Sequence, residues 1–414
     1  MTPTFAELGA PGEVVAALAA NRFVAPLPIQ ASVIPDAIAG RDVCASAPTG
    51  SGKTLAFGIA LVATVERAKP GRPRALILAP TRELAEQIRT ELDTISPARH
   101  LHTLAVYGGV GYEAQRRALR RGVDILVACP GRLADLVQQG ALSLGEVDRV
   151  VIDEADRMAD MGFLPEVRRL VDMTAANRQT MLFSATLDGD VAALIRRYQH
   201  DPVRHEVAGT GADAIDARHF FWRVDAHERI EHTAGIVAAA SPTIIFCKTR
   251  HGVDRLARHL EGRGTPVAPI HGGRTQSQRD RALGGFARGH VRALVATDVA
   301  ARGIHVDGVA CVVHFDPPAD AKGYLHRSGR TARAGASGVV VSLLSPDQVA
   351  ESRRMQGRLG LSGVVHPMDL AGLDQGGERI DPTRAPGGAA HQSVLITPQD
   401  ARRFGARRRV RSRR

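Results

Sequence analysis

Lysine is almost absent. Of 54 basic residues in the 414-residue chain, only Lys53, Lys69, Lys248 and Lys322 are lysines, so a lysine at any position calls for a reason. Lys53 has one, because a compact, rotatable ammonium suits a phosphate better than a planar guanidinium does. Cysteine is scarce too. Cys44, Cys129, Cys247 and Cys311 stand far apart, in or beside apolar runs and with no C-x-x-C pair. That spacing excludes a zinc ribbon or a dithiol redox site and predicts small buried hydrophobes. No apolar run of about eighteen residues spans a bilayer, and residues 1–12 lack the basic-then-apolar order of a secretory signal, so the expectation is a cytoplasmic protein with no membrane partner. Acid is short of base, for a net charge of +11. Residues 396–414, with eight Arg against one Asp, supply +7 of it.

What is present is enough for two domains, since 44% of the chain is hydrophobic. Short apolar runs of strand type recur at residues 42–47, 75–79, 124–128, 149–153 and 180–184, each followed by enough chain for a helix. A second series follows at 243–247, 267–270, 293–297, 309–315 and 338–344. This alternation predicts βαβ units and a mainly parallel sheet flanked by helices in each of two α/β domains, at 1–206 and 219–363. Residues 207–218, small and polar, are the expected flexible link. From 364 to 414 the composition turns to Gly, Pro, Asp and Gln and becomes Arg-rich from 402, which predicts a disordered basic tail. Such a tail is suited to tethering a polyanion without reading its sequence.

Two motifs carry chemistry. Residues 47–54 read APTGSGKT, directly after a strand and before an apolar helix. Ala47, Thr49, Gly50, Ser51 and Gly52 can wrap backbone N–H groups round an anion, Lys53 can reach the outer phosphates, and Thr54 can hold Mg²⁺. A hundred residues on, 150–156 read VVIDEAD, an apolar strand ending in acids. There Asp153 is placed to hold the metal through its water shell and Glu154 to orient and deprotonate an attacking water.

With APTGSGKT followed by DEAD at 153–156, the chain resembles the bacterial type of DEAD-box ATP-dependent RNA helicase of superfamily 2, and further motifs fall in that family's order across about residues 5–345. The resemblance implies two tandem RecA-like domains, ATP and Mg²⁺ as cofactors, a monomer, and RNA held by its backbone. PLPIQ at 26–30 is similar to the family's Q motif, implying that Gln30 reads adenine and Phe5 stacks on it. Arg22 and Leu27 depart from the usual Gly and Thr. Pro80, Thr81 and Arg82, Gly108 and Gly109, and Pro130, Gly131 and Arg132 resemble its RNA-gripping motifs, with Cys129 in place of the common Thr implying one phosphate contact fewer. Thr249, His271, Gly272 and Thr297 are the matching positions of the second domain. Gln276 and Arg279 stand beside them, where the family has RNA contact and communication across the cleft. Ser184 and Thr186 resemble the motif that couples hydrolysis to strand separation. Gly303 falls in the ARG-I match, where His305 replaces an expected Asp near the ribose and Asp307 is a possible substitute. HRSGRTARAG at 326–335 implies arginine fingers at Arg330 and Arg333, with His326 and Arg327 tying the lobes together near Asp156. Two other functions compete with an RNA helicase: a DNA-directed motor of the same superfamily, and an ATP-gated RNA clamp with slow hydrolysis.

Overall fold

The computed structural model describes residues 3–47, 51–187, 189–206, 217–301, 308–332, 337–374 and 376–380, apart from the side chains of Gln276, Val299 and Lys322. Seven strands build the first sheet: β1 (Val43–Ser46), β2 (Ala75–Leu78), β3 (Thr103–Val106), β4 (Ile125–Ala128), β5 (Arg149–Ile152), β6 (Gln179–Ser184) and β7 (Val203–Glu206). All its ladders are parallel, in the order β3-β4-β2-β5-β6-β1-β7. The central strands are apolar without alternation because both faces of the sheet are covered. In β2, Ala75 and Ile77 enter one core and Leu76 and Leu78 the other.

The second sheet comprises β8 (Arg218–Arg223), β9 (Thr243–Phe246), β10 (Val267–Ile270), β11 (Ala293–Ala296), β12 (Cys311–His314), β13 (Val339–Leu344) and β14 (His366–Pro367). Its order, β10-β11-β9-β12-β13-β8-β14, repeats that of the first sheet strand for strand. The two domains are therefore copies of one plan, and the same strand ends recur in both.

Three expectations need correction. β3, β7, β8 and β14 were not foreseen, and each lies at an edge of its sheet or is interrupted by Arg and His. The disordered tail does not begin at 364: β14 pairs with β8, Glu378 exchanges backbone hydrogen bonds with His219, and Leu373 and Ile380 are buried. Those two apolar anchors hold a Gly-rich stretch whose composition alone reads as unstructured. The linker was drawn one strand residue too long, since Arg218 opens β8; residues 207–216 and 381–414 lie outside the described residues. Three cysteines are buried, as expected of small hydrophobes, and Cys129 is partly so; all four are free thiols.

Candidate functional site

In parallel α/β sheets, ligands collect at the carboxyl ends of the strands, and the chemistry-bearing residues sit there in both domains. After β1 the chain enters the helix Lys53–Thr64. Its N-cap, Gly52, has φ +88°, and a Cβ there would lie 2.5 Å from Gln30 Nε2. Only glycine fits, because the left-handed turn and the close approach both exclude a side chain. Lys53 is buried and donates to the Ala47 carbonyl at 2.7 Å, which bends the ammonium back over the loop. Gln30 accepts from the Leu27 N–H at 2.8 Å and donates to the Gly52 carbonyl at 3.0 Å, so it braces this loop. Phe5 lies in the core of the same domain, 4% exposed. Thr49 and Gly50 lie outside the described residues.

Asp153 follows β5, is almost fully buried and accepts from the Glu154 N–H at 2.9 Å. Burial pushes its carboxyl up to about 7 in spite of Lys53, and Glu154 adds to the rise. A second acid is coupled electrostatically to Asp153. Glu91, on the helix Arg82–Leu92, is pushed up to about 7 by burial although the Thr54 hydroxyl hydrogen-bonds it, and it senses the charge of Asp153. Carboxylate and hydroxyl oxygens of this kind are the donors a hard divalent cation prefers. Glu91 lies on the apolar stripe of its helix with Leu84 and Ile88, where an acid is costly, and that was its unread signal.

Glu154 has φ +51°, a strained left-handed conformation for a residue with a side chain, of the kind concentrated at active sites. Burial raises its carboxyl, but the ion pair with Arg157 and the nearby Lys53 and Arg330 hold it below its ordinary value. Ser184, at the end of β6, accepts from the Asp156 N–H at 3.2 Å and the Thr186 N–H at 3.4 Å. The acidic strand end and the Ser-Ala-Thr segment thus share one hydroxyl.

The two sheets present matching grips. After β2, Thr81 caps its helix by accepting from the Leu84 N–H, and Arg82 reaches the Gly108 carbonyl at 3.3 Å. After β9, Thr249 caps in the same way, accepting from the Gly252 N–H at 2.9 Å, and Arg250 lies against Gly272. A Cβ on Gly109 would collide with Arg82, as one on Gly272 would press on Arg250. Pro130 opens the helix after β4, with Gly131 beside it. Arg132 donates to Gln115 and to the Val110 carbonyl and stacks 4.0 Å from the Tyr112 ring, so its guanidinium shapes the loop after β3. His271 meets Asp254 at 2.9 Å, and Thr297 directly follows β11.

The domains meet across a cleft. A cavity of about 220 Å³ is lined by Lys53, Glu154 and Asp156 from one side and His326, Arg327 and Arg330 from the other. Arg327 does not tie the lobes together as expected. It makes a two-point pair with Asp298, 2.5 and 2.6 Å, and donates to the Asp316 carbonyl, all within the second domain. Among the described residues an ion pair between the lobes is made elsewhere, by Arg279 and Glu83 at 2.7 Å, with side chains 5% and 10% exposed. Arg279→Met is expected to raise the RNA and ATP concentrations needed for half-maximal turnover together, by roughly tenfold, because a buried charge left unpaired disfavours closure. A double-mutant cycle with Glu83→Gln, read as RNA affinity in the presence of nucleotide, should give a coupling of about 1–3 kcal/mol. Strict additivity would mean the pair is incidental. Gly303, His305, Asp307 and Arg333 lie outside the described residues.

Residues 27–194 match the DEAD/DEAH box helicase family and 228–335 the helicase conserved C-terminal domain. The chain is 37% identical over 355 residues to the DEAD-box ATP-dependent RNA helicase CshA of Geobacillus kaustophilus, covering 85% of this chain and 76% of that one. It is 38% identical over 377 residues to the DEAD-box ATP-dependent RNA helicase 30 of Arabidopsis thaliana, covering 89% of this chain and 64% of that one. In structure it is similar to S. cerevisiae Dbp5 bound to RNA and ADP BeF3, with a TM-score of 0.78 at 26% identity, covering 90% and 97% of the two chains. The chain thus spans between about two thirds and three quarters of the two curated relatives named.

Proposed function

Because the chain belongs to the DEAD-box ATP-dependent RNA helicases, we propose that it binds ATP and single-stranded or duplex RNA and couples ATP hydrolysis to local strand separation or to remodelling of RNA–protein complexes. The observation that carries the reading is the cleft cavity, which takes Lys53 and Glu154 from one domain and Arg330 from the other. Neither domain holds a complete site, so hydrolysis requires closure. ATP and RNA both favour the closed arrangement, and each therefore tightens binding of the other.

In this reading the loop 47–54 wraps the phosphates and Lys53 neutralises the outer ones. Asp153 and Thr54, the latter hydrogen-bonded to Glu91, would hold Mg²⁺, which supplies charge neutralisation on the phosphates when bound. Glu154 orients the water and accepts its proton, while Arg330 and Arg333 stabilise charge that develops on the transferred group. Gln30 and Phe5 recognise the adenine. The paired grips after β2 and β9, with Thr81, Arg82, Thr249 and Gly272, hold a sugar-phosphate backbone without reading bases. The protein acts as a monomer in the cytoplasm.

The test is strand separation of a short RNA duplex against the same sequence as DNA, with ATP. RNA displacement at several times the DNA rate supports the reading, and preference for DNA sinks it. The basic tail adds a second expectation. Deleting residues 396–414 should raise the apparent KM for RNA, more so at low salt, with kcat changed less than about twofold, because a flexible cationic segment contributes sequence-independent phosphate affinity that salt screens. An unchanged KM would remove the tether.

A further inference from the structure

Arg157 belongs to none of the motifs quoted above, yet its side chain is 9% exposed. It lies on the helix Ala155–Asp160, three residues after Glu154, and helical spacing sets its Nη1 on the Glu154 carboxylate. That pair engages one corner of the guanidinium. The other two nitrogens, Nε and Nη2, are buried with no hydrogen-bond partner among the described residues. A guanidinium keeps its charge at any physiological pH and carries five donors in a planar fork, and a buried donor left unmade forfeits its hydration with nothing in return. Arg157 is also among the residues that line the cleft cavity, together with Lys53, Glu154 and Arg330.

The geometry points to a release site for inorganic phosphate: we propose that Arg157 takes up the orthophosphate cut from ATP as it leaves Lys53 and before the cleft opens. The inference rests on the functional reading above. In hydrolysis the water oxygen bonds to the γ-phosphorus, the bridging O–P bond breaks with its electrons going to ADP, and the water proton passes through Glu154 to phosphate. The product is a small anion freed on the Glu154 side of the cavity, beside unmet guanidinium donors. Two oxygens of an orthophosphate match the free edge of the fork, and a charge-assisted pair of this kind is both strong and geometrically selective. Lys53 and Arg330, reaching the cavity from opposite domains, give the anion positive charge at the start of its path.

The experiment uses the full chain, single-stranded RNA, ADP and inorganic phosphate. Orthophosphate should inhibit RNA-stimulated ATP hydrolysis and raise the melting temperature of the ADP-bound and RNA-bound chain. In Arg157→Gln the inhibition constant should rise roughly tenfold or more, as expected for the loss of a charged two-point contact, and the melting shift should vanish. Arg157→Lys, which keeps the charge but not the fork, should recover part of both. If Arg157 only steadies Glu154, turnover falls while the phosphate constant stays within about twofold of the unsubstituted value, and the proposal is overturned. It is equally overturned if orthophosphate gives the unsubstituted chain no melting shift. A chain that shows no RNA-stimulated hydrolysis but still loses its phosphate-dependent melting shift in Arg157→Gln would contradict the helicase reading and support the phosphate site.

Discussion

Glu154→Gln should lower RNA-stimulated ATP turnover by about 10²–10⁴-fold, the contribution of a positioned general base. The substitution keeps the shape of the side chain and removes its ability to accept a proton. ATP and RNA affinities should change by less than about threefold, so kcat falls without a matching rise in KM, the signature of an interaction made only in the transition state. Two features make the expectation sharp. Glu154 is buried and held in a strained backbone conformation at the strand end. Arg157, Lys53 and Arg330 also hold its carboxyl low enough to be ionised near neutrality. Steady-state hydrolysis alongside fluorescent-nucleotide titration checks it. Turnover surviving within tenfold would assign the base elsewhere.

Arg330→Ala carries the second large effect. An arginine supplied across an interface to a transferring phosphoryl group is worth about 10³–10⁵ in turnover, because it meets charge that appears only as the bond breaks. Arg330 lines the cleft cavity opposite Lys53 and acts electrostatically on Glu154. The variant should bind ATP nearly as well as the unsubstituted chain and hydrolyse it at least about a thousandfold more slowly. Arg330→Lys should recover little, since a point charge does not reproduce the planar fork. Loss of ATP affinity at unchanged kcat would make Arg330 a ground-state contact and leave the catalytic role unsupported.

The fold class was legible because buried parallel strands leave continuous apolar runs, and β2, β4, β9 and β11 are of that kind. The unread strands had other reasons for their sequences. β7 reads VRHE and alternates partly buried with exposed positions, as an edge strand does. β8 reads RHFFWR, and its His219 is accommodated in the core with the Tyr324 hydroxyl 2.7 Å away. The repeated strand order explains why residues 366–367 are ordered: they fill in the second sheet the slot that β7 fills in the first. Sequence spacing cannot show this, since the pairing partner lies more than 140 residues upstream.

At the site, the residues within one motif could be read together because neighbouring positions on one turn share a task. The phosphate loop and the acidic strand end are of this sort. Glu91 and the Glu83–Arg279 pair were not, because each acquires its role from an element distant in sequence; Arg157 meets Glu154 only three residues away, but nothing in its spacing shows that it is buried. Arg327 shows the opposite error. Its place in the arginine-rich motif implied a bridge between lobes, whereas Asp298 and Asp316 claim its guanidinium inside one domain.

Closure by ATP and RNA together is the central claim, and steady-state ATP hydrolysis by the unsubstituted chain with and without single-stranded RNA tests it most directly. Stimulation of roughly tenfold or more, with the apparent KM for ATP falling as RNA is added, is the predicted result. Hydrolysis at the same rate and the same KM whether or not RNA is present would contradict the account.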